Sequence, residues 1–170
     1  MSIELLKQRR SIRSYEARQI PEEILDQILE AGTYAPTGMN RQSPVMVAVQ
    51  DRDVIRLMER ENAAVMGNPE GKPFYGAPTV VVVFADSQCP TGFEDACLVL
   101  GNLMNAAHAL GIGSCWIHRA KEVFRTEAGK NLMQQWGLDA RFVGVGNCIL
   151  GYPTQIPAAR PRKENYIIKV

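Results

Sequence analysis

The stretch from Phe93 to Leu110 constrains how this chain folds more than any other, because it reads as a helix that is apolar almost all round. Its apolar residues are Ala96, Cys97, Leu98, Val99, Leu100, Leu103, Met104, Ala106, Ala107 and Leu110. A helix without a clear polar face is buried in a core or at an interface. A chain of 170 residues has little room to bury such a helix from every side. We therefore expect a second subunit to cover part of it.

Composition favours one compact domain over residues 1–170. Hydrophobic residues make up 46% of the chain and charged residues 22%, as in globular proteins. The net charge of only +1 gives no general reason to bind nucleic acid or an acidic membrane surface. The N-terminus lacks an apolar signal-peptide core, and no apolar run is long enough to span a bilayer. We expect a soluble, cytoplasmic protein with neither nucleic acid nor membrane as partner.

Hydrophobic periodicity predicts helices that alternate irregularly with short strands. The predicted helices are 2–10, capped by Ser2, then 21–32, 52–66, 93–110 and 122–136, and the predicted strands are 45–49, 79–85, 114–117, 142–151 and 166–170. Residues 67–78 contain three glycines and three prolines, which predicts an irregular loop. Loops of this length often serve a binding site.

Positive charge is concentrated near both ends of the chain. Lys7, Arg9, Arg10 and Arg13 lie close together with Ser11 between them, and a second cluster holds Arg160, Arg162 and Lys163. One interpretation is that the first cluster complements the negative end of a helix while the second is solvated. The other is an anion of phosphate type, because guanidinium groups bind phosphate through paired hydrogen bonds and a hydroxyl adds a neutral donor.

No motif for a catalytic nucleophile or a metal is present. The chain has no Walker loop, no GxSxG and no HExxH, and "GIGSCW" lacks the last glycine of the dinucleotide pattern. The four cysteines are widely spaced and are expected to be reduced thiols, with Cys115 packed in the core. We therefore predict no catalytic side chain and no metal site.

Five segments, taken in order, resemble the nitroreductase family of FMN-dependent enzymes over essentially the whole chain. They are "RRSIRSY", "APTGMNRQ", "FYGAPTVVVV", "NLMNAAHALGIGSCWI" and "RPRKE". The likeness is to the short, single-domain branch of that family. It implies an α+β fold with a central, mostly antiparallel sheet flanked by helices. It also implies an intertwined homodimer whose C-terminal segments are exchanged, with FMN at the subunit interface.

The resemblance also implies which cations hold the cofactor. Arg9, Arg10 and Ser11 match positions that bind the FMN phosphate, and Arg13 matches a cation beside the N1 and O2 edge of the flavin ring. Arg160 and Arg162 match further phosphate contacts, with Lys163 as a third candidate. A cation at N1 favours the reduced ring, because negative charge develops there on reduction.

Two further segments are implied to contact the ring. The segment that approaches from the other subunit comprises Pro36, Thr37, Gly38, Met39 and Asn40, and Asn40 or Gln42 could bond the polar edge of the ring. The segment beside flavin N5 comprises Cys115, Trp116, Ile117 and His118, of which the backbone N–H groups near Ile117 and His118 face N5.

The chain departs from the family pattern in two places. "SPVM" follows Gln42 where many relatives have Pro-Trp, and His118 and Arg119 stand where small residues are common. Lys72, Tyr75 and Asn68 of the irregular loop are further candidates to border the site. These differences bear on the shape and charge of the pocket.

The resemblance implies an NAD(P)H-dependent flavin oxidoreductase with a ping-pong cycle, in which hydride reaches flavin N5 and a nitroaromatic, quinone or similar small molecule accepts electrons. The alternatives are a flavoenzyme of narrower task, such as a dehalogenase or a reductase of a double bond or ring, and a non-catalytic module that senses or stores FMN. A binder of some other phosphoanion is the remaining alternative.

Overall fold

The computed structural model describes residues 3–170, so the predicted cap Ser2 lies outside the described residues. The helices are α1 (Ile3–Gln8), α2 (Glu22–Thr33), α3 (Arg52–Val65), α4 (Gly92–Ala109), α5 (Ala120–Val123) and α6 (Glu127–Gln135). The strands are β1 (Val45–Val49), β2 (Thr79–Asp86), β3 (Gly113–Ile117) and β4 (Phe142–Gly151). Gly38–Asn40 forms a single 3₁₀ turn, and the predicted loop 67–78 contains no helix or strand.

The four strands form one antiparallel sheet in the order β1-β2-β4-β3. Strand β2, one of the two central strands, is buried along almost its whole length, as its unbroken apolar sequence predicts. Val81 and Val83 face a core shared with α2 and α4, whereas Val80 and Val82 face a second core shared with α3, α5 and α6. The architecture is therefore α+β, with helices on both faces of an antiparallel sheet, and this confirms the predicted fold class.

One side of helix α4 packs on the sheet, whereas residues on its other side are exposed to solvent. Ala96, Leu100 and Leu103 are fully buried against β2 and β4, while Phe93 is 59% exposed and Leu98 is 46% exposed. Gly111 adopts φ +74° just after the helix and allows the turn into β3. Phe93 and Leu98 belong to the helix that the sequence predicts a second subunit to cover, and both stay exposed in one chain.

Two predicted elements were wrong. The predicted helix 122–136 is divided into α5 and α6, because the Thr126 side chain accepts the Gly129 N–H at 3.1 Å and starts a new helix. The predicted strand 166–170 is absent, since residues 154–170 are exposed and pair with no described strand. An extended segment needs a neighbouring strand to satisfy its backbone groups, and one chain supplies none here.

The division between α5 and α6 depends on a glycine. A Cβ atom added at Gly129 would lie 2.1 Å from the Val123 carbonyl oxygen and 2.6 Å from the Phe124 Cα atom. Both contacts involve backbone, so neither can be relieved by moving a side chain. The two helices approach this closely only because residue 129 has no side chain.

We expect Gly129→Ala to lower the free energy of unfolding by about 1–3 kcal/mol, in spite of the better helix propensity of alanine. Urea denaturation followed by circular dichroism measures the change. Asn131→Ala is the control, because Asn131 is exposed on the same helix and should change stability little. Equal stability of the two variants would contradict the close packing of α6 on the end of α5.

Candidate functional site

The N-terminal cationic segment lies along the outer edge of the sheet, beside β3. Ser11 forms a parallel bridge with Ser114, and the Ile12 N–H donates to the Ser114 carbonyl at 2.9 Å. The Glu16 N–H donates to the Tyr152 carbonyl at 2.9 Å, which fixes the far end of the segment. This pairing brings residues 9–13, the predicted phosphate and ring contacts, next to residues 115–118, the segment predicted to lie beside flavin N5.

Two of the three predicted phosphate ligands at the N-terminus, Arg9 and Arg10, differ in whether their guanidinium donors have hydrogen-bond partners. Arg9 is half-buried, and its Nη1 is buried with no hydrogen-bond partner among the described residues. Nη1 of Arg10 instead donates to the carbonyls of Lys7 and Arg9 at 2.7 and 2.8 Å. A buried guanidinium donor without an acceptor is costly, so the structure offers Arg9 to an anionic ligand more readily than Arg10.

A pocket of about 280 Å³ opens where this segment, the end of β3 and the irregular loop meet. It is lined by Arg13, Met66, Asn68, Gly71, Lys72, Pro73, Tyr75, Ile117, His118 and Arg119. Three of these residues carry a fixed positive charge, and no acidic residue lines the pocket in the described part of the chain. We refer to it as the cationic pocket. Its electrostatics suit a ligand that carries or develops negative charge.

The loop 67–78 is held against the body of the protein by a buried phenylalanine. Phe74 is almost fully buried, and its N–H donates to the Glu59 carboxylate at 2.8 Å. Tyr75 next to it adopts φ +54° and stays partly exposed, with the Arg13 guanidinium carbon 6.0 Å from its ring centroid. This arrangement puts Asn68, Lys72 and Tyr75 in one pocket with Arg13, as the sequence suggested for the border of the site.

Two buried asparagines fix the backbone at the end of β3. The Asn62 Nδ2 donates to the His118 carbonyl at 2.8 Å, and the Asn147 Nδ2 donates to the Ile117 carbonyl at 3.3 Å. Because a trans peptide points its N–H opposite to its C=O, the N–H groups of His118 and Arg119 are directed away from these buried amides. The backbone at the mouth of the cationic pocket therefore has two donors set in a fixed direction.

Sequence reasoning missed both asparagines, although each leaves a signal. Asn62 lies seven residues after Ile55 and four after Met58, on the buried side of α3. A polar residue on an apolar helix face is a candidate for a specific internal hydrogen bond. Asn147 is likewise a buried amide within the apolar strand β4.

The predicted segment 36–42 lies at the opposite edge of the sheet from Arg13. It precedes the edge strand β1, whereas β3 forms the other edge, so three strand spacings of about 4.8 Å separate the two edges. The Gly38 N–H donates to the buried Asp95 carboxylate at 3.0 Å, which ties the segment to the first turn of α4. One chain therefore does not bring this segment to the cationic pocket.

The backbone of this segment is strained. Met39, Asn40 and Gln42 all adopt φ between 51° and 54°, a region that costs a residue with a side chain about 1–2 kcal/mol. The Gln42 N–H donates to the Thr37 hydroxyl at 3.0 Å, and the Gln42 side-chain amide donates to the Asn40 Oδ1 at 3.2 Å. The strained turn leaves Met39 86% exposed. Strain of this kind often marks a functional segment.

The tail cations are also outside the pocket. Arg160 and Arg162 are exposed, and the Arg162 Nη2 donates to the Arg160 carbonyl at 2.8 Å. Lys163 lies over the Tyr166 ring at 5.3 Å. None of the three tail cations therefore lines the cationic pocket within one chain.

The cysteines of β3 and β4 are packed thiols. Cys115 is buried and its Sγ donates to the Trp116 carbonyl at 3.6 Å. Burial raises the pKa of Cys148 to about 12. All four cysteines are free, as predicted.

No helix in the described residues has the length and hydropathy needed to cross a membrane.

We expect Asn62→Leu to lower the free energy of unfolding by about 1–3 kcal/mol, because the His118 carbonyl would be left buried without its donor. Urea denaturation of the protein without added ligand measures this change. Asn131→Leu is the matched control, since Asn131 is exposed on α6. A loss no greater than that of the control would contradict the role of Asn62 in fixing the end of β3.

Comparison with known proteins places this geometry in context. The model of the nitroreductase family matches residues 6–152. Two archaeal proteins, both provisionally named NADH dehydrogenase/NAD(P)H nitroreductase, are similar in sequence. The protein from Archaeoglobus fulgidus is 31% identical over 89% of this chain and 84% of its own length. The protein from Methanothermobacter thermautotrophicus is 28% identical over 93% and 80%, respectively.

Among solved structures, a nitroreductase with bound FMN from Bacteroides fragilis superposes with a TM-score of 0.89. Its sequence is 28% identical, and the match covers 99% of this chain and 97% of that one. The likeness therefore extends over the sheet, the helices and the C-terminal tail.

Proposed function

The chain belongs to the nitroreductase family of oxidoreductases, and on that premise we propose that it binds FMN and transfers electrons from NAD(P)H to a small organic acceptor. Nitroaromatics and quinones are the proposed acceptors. The observation that carries the proposal is the cationic segment 9–13 paired beside β3, because its Arg13 lines the cationic pocket and the buried Nη1 of its Arg9 has no partner within the described residues. The FMN of the Bacteroides fragilis nitroreductase and the NAD(P)H in the names of the archaeal relatives support this choice.

The residues present fit FMN. The unpartnered Nη1 of Arg9 and the Ser11 hydroxyl are donors for a phosphate, and Arg13 at the cationic pocket is a cation for the polar edge of the ring. When bound, FMN supplies a ring that accepts hydride at N5 and passes electrons on. Hydride transfer of this kind needs no acid or base from the protein.

The protein's contribution is to bind, orient and set charge. The N–H groups of His118 and Arg119 belong to the two peptides whose carbonyls Asn147 and Asn62 bind, so each N–H has a fixed direction, which suits a polar contact at the N5 side of the ring. Arg13 stabilises negative charge on the N1 side, which favours reduction. Lys72 and Arg119 add positive charge at the same pocket.

We further propose that the site is shared between two chains. The strained segment that includes Thr37, Gly38 and Asn40 lies at the far edge of the sheet, and the tail with Arg160 and Arg162 is exposed and pairs with no described strand. Exposed apolar residues occupy the outer side of α4, α1 and the tail; they are Phe93, Leu98, Leu6, Tyr166, Ile167 and Ile168. A homodimer that buries these surfaces would bring one chain's segment and tail to the other chain's Arg9 and Arg13.

We expect Arg9→Gln to weaken FMN binding by about tenfold or more, because charge-assisted hydrogen bonds to the phosphate are lost. Quenching of FMN fluorescence in a titration measures this affinity. Arg52→Gln, an exposed change at the start of α3, is the matched control. Unchanged affinity in Arg9→Gln would remove Arg9 from the phosphate site. If the unaltered protein does not quench FMN at all, the flavin proposal itself is wrong.

Reduction of the bound flavin distinguishes an enzyme from a non-catalytic FMN-binding protein. Anaerobic bleaching of the bound flavin by NADH or NADPH supports turnover, whereas a yellow protein that neither donor bleaches supports an FMN sensor or store. Arg13→Gln should lower the reduction potential of the bound flavin, and Arg13→Lys should keep the potential close to that of the unaltered protein.

A panel of a nitroaromatic, a quinone, a halogenated phenol and an activated alkene then tests which acceptor reoxidises the flavin. Preference for one of the last two would replace the general reductase with the narrower enzyme.

A further inference from the structure

We propose a second binding site, apart from the cationic pocket, for a small organic anion with an apolar body such as an aromatic carboxylate. The site is a cavity of about 350 Å³ between α5, α6 and the start of β4. Its volume falls within the range of pockets that hold small molecules. The inference concerns binding alone and does not rest on the proposed flavin function.

The floor of the cavity is apolar and preformed. It includes Phe124 and Met133, which are almost fully buried, together with Leu138 and Phe142, which are partly buried. The Phe124 ring packs edge-on against the Phe84 ring, with centroids 4.9 Å apart. A floor held in this way needs no rearrangement to receive an aromatic ring, which lowers the cost of binding.

The rim of the cavity is positively charged. Lys121, Arg125 and Lys130 line it and are exposed, and none of the three forms an ion pair within residues 3–170. The acidic lining residue, Asp139, is already engaged with Arg141, whose N–H it accepts at 2.9 Å and whose Nε lies 3.7 Å away. An apolar floor under unpaired cations is complementary to a ligand with an apolar body and one negative group.

The cavity shares no lining residue with the cationic pocket. It lies on the side of the sheet covered by α3, α5 and α6, whereas the exposed apolar side of α4 is on the opposite side. A second chain that packs on α4 would therefore approach the face of the sheet opposite to the cavity. The inferred ligand can bind whether or not the cationic pocket is occupied.

The test uses two probes of nearly equal shape, 2-naphthoate and the neutral 2-naphthamide, with the full-length protein and isothermal titration calorimetry. We expect 2-naphthoate to bind and 2-naphthamide to bind at least about fivefold more weakly, since the amide lacks the charge that the rim complements. Added salt should weaken the naphthoate and leave the amide unchanged. The affinity should be the same with and without FMN.

Variants locate the binding. Replacing Arg125 and Lys130 together by glutamine should weaken 2-naphthoate about five- to thirtyfold. The control double variant Arg52→Gln/Arg60→Gln removes two exposed cations from α3 and should have no effect.

Three results would overturn the inference. They are no binding of 2-naphthoate at millimolar concentration, equal binding of the two probes, and unchanged naphthoate affinity in the cavity variant. In the third case, loss of binding in Arg13→Gln would show that the anion occupies the cationic pocket instead. None of these results bears on whether FMN binds, which the fluorescence titration decides separately.

Discussion

The packing of helix α4 against the sheet determines how the other elements are arranged. Its inner side, with Leu100 and Leu103 at the centre, covers one face of the sheet and fixes where β2 and β4 lie. Its outer side carries the apolar residues Phe93 and Leu98, which stay exposed although α1 and α2 also contact the helix. Exposed apolar side chains on a helix that is otherwise buried suit an interface, and for this reason we propose a site shared with a second chain.

The residues proposed to bind FMN are divided between the two edges of the sheet and the tail. The donors of residues 9–13 and the fixed backbone at His118 meet at the β3 edge. The strained turn at Met39 is bound to Asp95 at the start of α4, beside the opposite edge, and the tail is exposed throughout. The proposed shared site would use these two segments in the partner chain rather than in their own. The inferred anion cavity is different, because α5, α6 and β4 complete it within one chain.

The sequence predicted what depends on local pattern. Apolar runs bounded by turn residues gave β1 and β2, and the spacing on α2 and α4 gave helices within one or two residues of those observed. It failed where distant contacts decide. The break before Gly129 comes from a close approach to Val123, and the tail lacks its strand because that strand has no partner in the chain. The hydrogen bond from Asn62 was not predicted, because the His118 carbonyl that accepts it is 56 residues away in the sequence.

Complementation between two defective chains tests the shared site most directly. One variant carries Arg9→Ala and Arg13→Ala, and the other carries Asn40→Ala and Gln42→Ala, so that neither alone should bind FMN. In a twofold dimer formed from both, one site has all of its altered residues and the other has none. After the two variants are unfolded together and refolded, we expect about one quarter of all sites to regain FMN, measured by fluorescence quenching. No recovery from a mixture that still forms dimers would contradict it, as would a monomeric protein that binds FMN.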